Sequence, residues 1–256
     1  MKTLVLSIGN SSYYGGVFAG GKPLRLLRAA RTSAEAARLA ARKGKRPFFR
    51  GKFDRIAICS VIPTSTKPIA SQLGSFFGIK PDLLTSDAPH GLKIGYRRPR
   101  ELGTDRIAAA IGARKRFPRT NVIIVDCGTA TTFTVLDRSG KLLGGAILPG
   151  LSLWPAMLAT RTAQLPQVAL RRPRAAVGRS PEESIRSGIF HGHAGAIREV
   201  VRRLRDEAFG RASVVVIGTG GNAEEFSGEK LFDEIVPALV LEGLNEFARR
   251  CAAQRL

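Results

Sequence analysis

The chain has 256 residues, 44% of them apolar, and a formal net charge of +21. That length is enough for a substantial buried core in one large domain or two small ones, and no apolar run approaches the roughly 20 residues of a membrane span. The three cysteines, Cys59, Cys127 and Cys251, are too few and too scattered for a disulfide framework or a metal cluster, and they point to a reducing cytoplasm.

The positive charge is spread over 25–55, 97–119, 171–179 and 198–211, with no zinc spacing and no aromatic RNA-binding signature. Solvated basic helix faces account for such a distribution, so the expectation is weak, non-specific nucleic-acid binding and no specific nucleic-acid partner. One Lys precedes a short apolar run that enters a Gly-Asn turn, so no secretory signal is expected.

In chain order, Leu4–Ile8 is an apolar strand that meets the small polar turn Gly9-Asn10-Ser11. A second strand runs through Phe18, Gly20-Gly21 turns the chain, and Pro23–Ala30 is a third strand. Ser33, with Glu35 in the first turn, opens an expected helix through Ala40, and 43–52 reads as a basic loop. Then come a strand over Arg55–Ser60, a helix over 65–77, a short strand at Leu83-Leu84 and a turn-rich connection over 87–95. The stretch Gly95-Tyr96 to Gly103-Thr104-Asp105-Arg106 opens a helix over 107–116. Asp105 has two readings. It is a helix cap or dipole partner, or a base that accepts a hydroxyl proton while Arg106 binds a carboxylate or phosphate.

The stretch Val122–Gly150 carries the densest signal. An apolar β-branched run ends on Asp126, followed by Gly128, Thr129, Thr131 and Thr132. Strands over 133–136 and 141–148 follow, joined by Asp137-Arg138-Ser139-Gly140. A plain capped hairpin satisfies this pattern. So does a phosphate site made of Gly-freed N–H groups and Thr hydroxyls, with a carboxylate for a cation. Beyond it lie a helix through Trp154 and Met157, a surface loop over 161–180, and a helix from Ser180-Pro181 to about Phe209, with Gly192 or Gly195 as a candidate break. A buried strand over 213–217 leads into Gly218-Thr219-Gly220-Gly221, a tight turn or a nucleotide approach. A helix over 237–251 closes the chain, with Leu239, Leu241, Leu244 and Phe247 as its apolar face.

Strand, polar turn, strand, turn, strand therefore occurs twice, about half a chain apart, a sign of internal duplication. At both turns the chain resembles the acetate and sugar kinase, Hsp70 and actin superfamily. The fold this implies is α/β, with two duplicated ribonuclease-H-like lobes and a cleft that clamps a polyphosphate. The lobes are expected over 1–117 and 118–256, with the last helix packing back on the first.

Four segments together resemble the type III pantothenate kinase family: Ser7-Ile8-Gly9-Asn10-Ser11; Tyr96 with Gly103-Thr104-Asp105-Arg106; Asp126–Thr132 with Gly144-Gly145 and Pro149-Gly150; and Gly218–Gly221. The resemblance implies ATP-dependent phosphorylation of pantothenate, the first step of coenzyme A synthesis. It also implies a homodimer, a divalent cation such as magnesium with ATP, and a monovalent cation, potassium or ammonium. Ser7, Ile8, Gly9, Asn10, Ser11, Ser12, Tyr13 and Tyr14 would hold ATP phosphates, with Thr129 also on ATP. Asp105 would be the general base; Tyr96, Gly103, Thr104, Asp105 and Arg106 would line the pantothenate site; Asp126 would hold the monovalent cation. Two positions depart from the family pattern. Ser7 stands where the family has Asp, and Gly178-Arg179-Ser180 is followed by Pro181 where the family has Thr. They raise the alternative of a catalytically impaired relative that binds nucleotide or pantothenate without efficient turnover.

Overall fold

The computed structural model describes residues 1–34, 38 and 48–254. The helix expected from Ser33 to Ala40 and residues 43–47 of the expected basic loop lie almost wholly outside the described residues. The strands are β1 (Lys2–Ile8), β2 (Ser12–Ala19), β3 (Lys22–Ala30), β4 (Arg55–Ser60), β5 (Asp82–Leu83), β6 (Lys93–Ile94), β7 (Asn121–Cys127), β8 (Ala130–Leu136), β9 (Lys141–Pro149), β10 (Val214–Thr219) and β11 (Glu234–Ile235). The helices are α1 (Pro63–Phe77), α2 (Thr104–Arg116), α3 (Leu153–Arg161), α4 (Pro181–Phe209) and α5 (Leu239–Ala253). Two compact units result, one of residues 1–119, 139–142 and 238–256, the other of 120–138 and 143–237.

In the first unit β1, β2 and β3 form an antiparallel meander, β4 runs parallel to β1, and β5 parallel to β4. The strand order is β3-β2-β1-β4-β5. Alternate residues of a strand point to opposite faces, yet β1 and β4 are buried almost throughout. Helices on both faces explain this. Leu4, Leu6, Ile56 and Ile58 join Ile69 and Leu73 of α1 in one core, while α5 packs against β1 and β4 from its own apolar side. Helix α1 is bounded by Pro63 in its first turn and by Gly78 in the left-handed region at φ 65, whose N–H caps Gly74 O, the usual proline-in, glycine-out asymmetry.

The four apolar residues of α5 named from its periodicity, Leu239, Leu241, Leu244 and Phe247, are all buried. Helix α5 crosses α2 so closely that backbone meets backbone. A Cβ on Gly243 would strike the carbonyl oxygen of Ala108, and one on Gly112 would strike that of Leu239.

In the second unit β7 and β8 are antiparallel, β10 runs parallel to β7, and β11 parallel to β10. The order β11-β10-β7-β8-β9 repeats that of the first unit, strand for strand. Ile123, Val125, Phe133 and Val135 pack on Ile189, Phe190 and Ile197 of α4. Ser180 caps α4, its Oγ accepting from Glu183 N at 3.3 Å, and Pro181 follows it. The helix is unbroken for 29 residues. Gly192 and Gly195 do not divide it, since about 1 kcal/mol per glycine is small beside the burial of its apolar face. Two elements, β6 (Lys93–Ile94) and β11 (Glu234–Ile235), carried no sequence signal: each has only two residues, too few to show a period, and neither contains an apolar pair like the Leu83-Leu84 that marked β5.

The α2–α5 crossing gives the first test. Gly243→Ala should destabilise the protein by about 1–3 kcal/mol, as overpacking against backbone does, read as a lower urea midpoint. An unchanged midpoint would show that the two helices can part without loss.

Candidate functional site

In the first unit the parallel register places Ser7, near the end of β1, opposite Cys59, near the end of β4. Carboxyl ends of parallel strands are where ligands enter α/β sheets. Helix α2 begins at the same end. Thr104 is tied to β4 twice, its Oγ1 accepting from Ser60 N and donating to Ser60 O, both at 2.9 Å. This fixes the next residue, Asp105, in the first turn of α2.

Asp105 Oδ1 accepts from Arg106 N at 2.8 Å. A side chain on Gly103 would meet that carboxylate oxygen, so the glycine leaves room for the acid. Burial raises the Asp105 pKa above the usual carboxylate range, and the Arg106 N–H and guanidinium pull partly the other way. The Cys59 thiol is pushed up to about 12, chiefly by burial; a Ser7 hydrogen bond opposes the shift and the Asp105 charge adds to it. Ser7, Cys59 and Asp105 therefore share one neighbourhood. Arg106 is buried, donates from Nη1 to Tyr96 Oη at 2.7 Å, and lies over the Tyr96 ring at 5.4 Å. The predicted residues Tyr96, Gly103, Thr104, Asp105 and Arg106 are thus brought together.

The first turn is mixed in character. Gly9 N donates to Ser12 O at 3.0 Å, and Asn10 and Ser11 are exposed at its tip. Ile8 and Tyr13 point into the hydrophobic core, so only their backbone groups are open to a ligand. Tyr14 is half-buried beneath the Arg28 guanidinium, 4.3 Å from its ring. Burial raises its pKa, Arg28 lowers it and Glu242 adds to the rise.

In the second unit Asp126 lies near the end of β7, opposite Thr132 on β8 and Thr219 on β10. Gly220 follows at φ +90, a conformation open to glycine, and a Cβ there would strike Asp126 Oδ1 and the Cys127 backbone. Thr129 O accepts from Gly150 N at 3.0 Å, and Cys127 O from Asn222 N at 2.9 Å. The turn is therefore clasped by the two glycine segments whose presence the sequence showed without their purpose. Carboxylate, hydroxyl and carbonyl oxygens form a hard donor set that suits an alkali or alkaline-earth cation. Among the described residues no group of three or more His, Cys, Asp or Glu could hold a metal by itself.

One contact that holds the turn was missed. Buried Thr131, in the Thr-rich turn, shares a 3.0 Å hydrogen bond with His193 Nε2 of α4. His193 stacks on Phe226, and Phe226 on Phe190. Burial lowers the His193 pKa and favours the neutral ring. A lone His in a helix 62 residues away from Thr131 gives no sequence signal for such a link.

The family model described as type III pantothenate kinase matches residues 3–203. A type III pantothenate kinase of Legionella pneumophila (strain Corby) is 40% identical over 245 residues, covering 94% of this chain and 96% of the relative. Type III pantothenate kinase 1 of Francisella tularensis subsp. holarctica (strain OSU18) is 34% identical over 244 residues, covering 93% and 95%. Among solved structures, a Baf-family protein from Campylobacter jejuni aligns with TM-score 0.61 at 18% identity over 98% of this chain and 99% of its own. The activator of 2-hydroxyisocaproyl-CoA dehydratase from Clostridium difficile, with bound ADPNP, aligns with TM-score 0.54 at 14% identity over 100% and 97%. The fold is that of actin-like ATPases and sugar kinases, as the duplicated turns implied.

Burial of Asp105 carries a stability consequence with a definite sign. Its folded pKa is raised, so the folded state holds the proton more tightly than the unfolded one. Stability therefore falls as pH rises from the ordinary carboxylate value through the raised one. Asp105→Asn removes that penalty. Its thermal midpoint relative to the parent should rise between pH 4 and neutrality, and a relative fall over that range would contradict the burial argument.

Proposed function

The chain belongs to the type III pantothenate kinase family, and on that premise we propose that it transfers a phosphoryl group from ATP to the hydroxyl of pantothenate, the first step of coenzyme A synthesis. The observation that carries the reading is the Asp105 carboxylate, poised at the start of α2 beside the Arg106–Tyr96 pair. In this reading the pantothenate hydroxyl oxygen attacks the γ-phosphorus, the bond to the β,γ-bridging oxygen breaks, and Asp105 receives the hydroxyl proton. Such transfers need alignment and charge neutralisation above all, so the base has only to steer the hydroxyl. Arg106 would hold the pantothenate carboxylate, with Tyr96, Gly103 and Thr104 as its neighbours.

Within the first unit, the Ser7–Tyr14 turn would hold ATP phosphates, through backbone at Ile8, Gly9 and Tyr13 and through the polar side chains of Asn10, Ser11 and Ser12. Within the second, Thr129 would contact ATP and Asp126 would hold the monovalent cation, potassium or ammonium. Bound there, such a cation supplies positive charge near anionic groups. Magnesium would accompany ATP. Ser7 offers it a hydroxyl in place of a carboxylate, a weaker ligand for a hard cation. The impaired-relative reading is not favoured, given 40% identity across 94% of the chain and the presence of Tyr96, Asp105, Arg106, Asp126 and Thr129. Among the described residues no helix is long and apolar enough to cross a membrane; a cytoplasmic setting belongs to the same proposal.

The homodimer has its own support. An apolar cavity of about 670 Å³ on the second unit is lined by Trp154, Leu158, Leu165, Ile185 and Ile189. Gly188, Gly192 and Gly195 on α4 have no atom other than those of their chain neighbours and their own helix backbone within 4 Å of where a Cβ would stand. A helix bared of side chains beside an apolar groove suits a second helix at close range, and apolar patches of this kind mark association sites. The second copy would cover this face.

Two tests follow. Asp105→Asn should reduce pantothenate-dependent ADP release by roughly a hundredfold or more, and the acid limb of the parent pH–rate profile should lie above the ordinary carboxylate value of about 4, because protonated Asp105 cannot accept the proton. Unchanged turnover in the variant would remove Asp105 from the mechanism. Gly192→Glu should turn a sedimenting dimer into a monomer; a dimer that persists would place the interface elsewhere.

A further inference from the structure

Helix α4 carries an interruption in its apolar stripe. Ile189, His193 and Ile197 recur every four residues and are all buried, so an apolar side chain at 193 would continue the face that packs on the sheet. An imidazole there meets a hydroxyl on β8 instead, and both groups give up their water. Apolar packing tolerates several arrangements, whereas a satisfied buried polar pair specifies one.

The pair holds a single geometry. Thr131 is wholly buried, and its Oγ1 lies 3.0 Å from His193 Nε2. The imidazole stacks on Phe226 at 5.6 Å and 21°, and Phe226 on Phe190 at 5.4 Å and 23°, so swinging Nε2 away parts the ring from a stacked aromatic. Burial favours the neutral ring, and a hydroxyl complements either tautomer. What the bond holds is the start of β8. Thr131 pairs with Cys127 across the β7–β8 turn, and between them Gly128 N donates to Ala130 O at 3.1 Å. Gly150 N on Thr129 O and Asn222 N on Cys127 O tie the turn to neighbouring loops; His193 ties it to the 29-residue helix α4. Thr131 has no exposed surface, so its hydroxyl acts on a ligand only by placing the residues before it, Thr129 among them.

We propose that His193 is a positioning residue for nucleotide binding: by holding Thr131 it sets where the Thr129 end of the turn meets ATP. This rests on the kinase reading, which puts Thr129 on ATP. The test measures, on the full chain, calorimetric affinity for a non-hydrolysable ATP analogue with magnesium, together with thermal midpoints. His193→Phe keeps an aromatic ring on Phe226 and removes the nitrogen; affinity should fall roughly tenfold. His193→Gln, whose amide reaches to about the place of Nε2, should restore most of it. The double variant His193→Phe with Thr131→Val leaves no orphaned hydroxyl. Its midpoint should return towards the parent's while its affinity stays low. In turnover assays the same variants should raise KM for ATP and leave KM for pantothenate within about twofold.

Affinity that recovers with the midpoint in the double variant would make the bond a matter of stability alone and overturn the proposal. So would equal affinities in all the proteins, equal losses in His193→Gln and His193→Phe, or a matching rise in both KM values. A parent that binds ATP without pantothenate-dependent turnover would sink the kinase reading and leave the affinity comparison standing. A parent that binds no ATP would remove the nucleotide reading of the turn, and this proposal with it.

Discussion

Each unit depends on one constraint, the parallel pairing of a hairpin's first strand with a strand far along the chain. Pairing β1 with β4 sets Ser7 beside Cys59 and delivers the start of α2 to the same sheet end. Pairing β7 with β10 sets Asp126 beside Thr219 and brings Gly220 against the carboxylate. A slip of one residue would turn every side chain of the shifted strand to the other face. Since β1 and β7 are buried on both faces, apolar packing holds the polar ends in register. Chemistry at the strand ends is thus positioned by hydrophobic contacts some distance from it.

On the proposed kinase reading, that arrangement sets stability against function at one residue. Asp105 is held in a place that penalises its charge, between a buried thiol and a buried guanidinium. A neutral residue would suit the fold better there. The acid is instead given backbone donors, the Arg106 N–H and its own, and room left by Gly103, enough to fix its direction while keeping it basic. Active sites commonly carry such local strain against the rest of the structure.

The sequence was most legible where elements are long and punctuated. The apolar periodicity of α5, the Ser180-Pro181 start of α4 and the apolar strands of both hairpins all recur in the structure within a few residues. Tyr96 and Arg106, ten positions apart, meet as their shared segment suggested. What escaped depends on distance in the chain or on brevity. The Thr131–His193 bond joins two elements with no pattern in common, and β6 and β11 are too short to have one. The glycine motifs marked the right places, but only the fold shows that Gly220 stands against Asp126 and Gly243 against the backbone of α2. Ile8 and Tyr13 illustrate the opposite limit, for a motif read as one ligand-facing turn contains side chains that belong to the core.

The make-up of the first unit bears on how the polypeptide emerges from the ribosome. Its residues 1–119 and 139–142 are joined by 238–256, while the second unit occupies 120–138 and 143–237. Helix α5 covers β1 and β4 from one side and seats on α2, so those surfaces are bare until α5 clears the exit tunnel. The second unit is fully translated before that happens. Of the two units, the one begun first is therefore finished second, and until α5 emerges it presents the apolar surface of α2 and its sheet to the cell. Nascent-chain holdases act on that kind of surface, and a release of the chain short of α5 would leave it permanently uncovered.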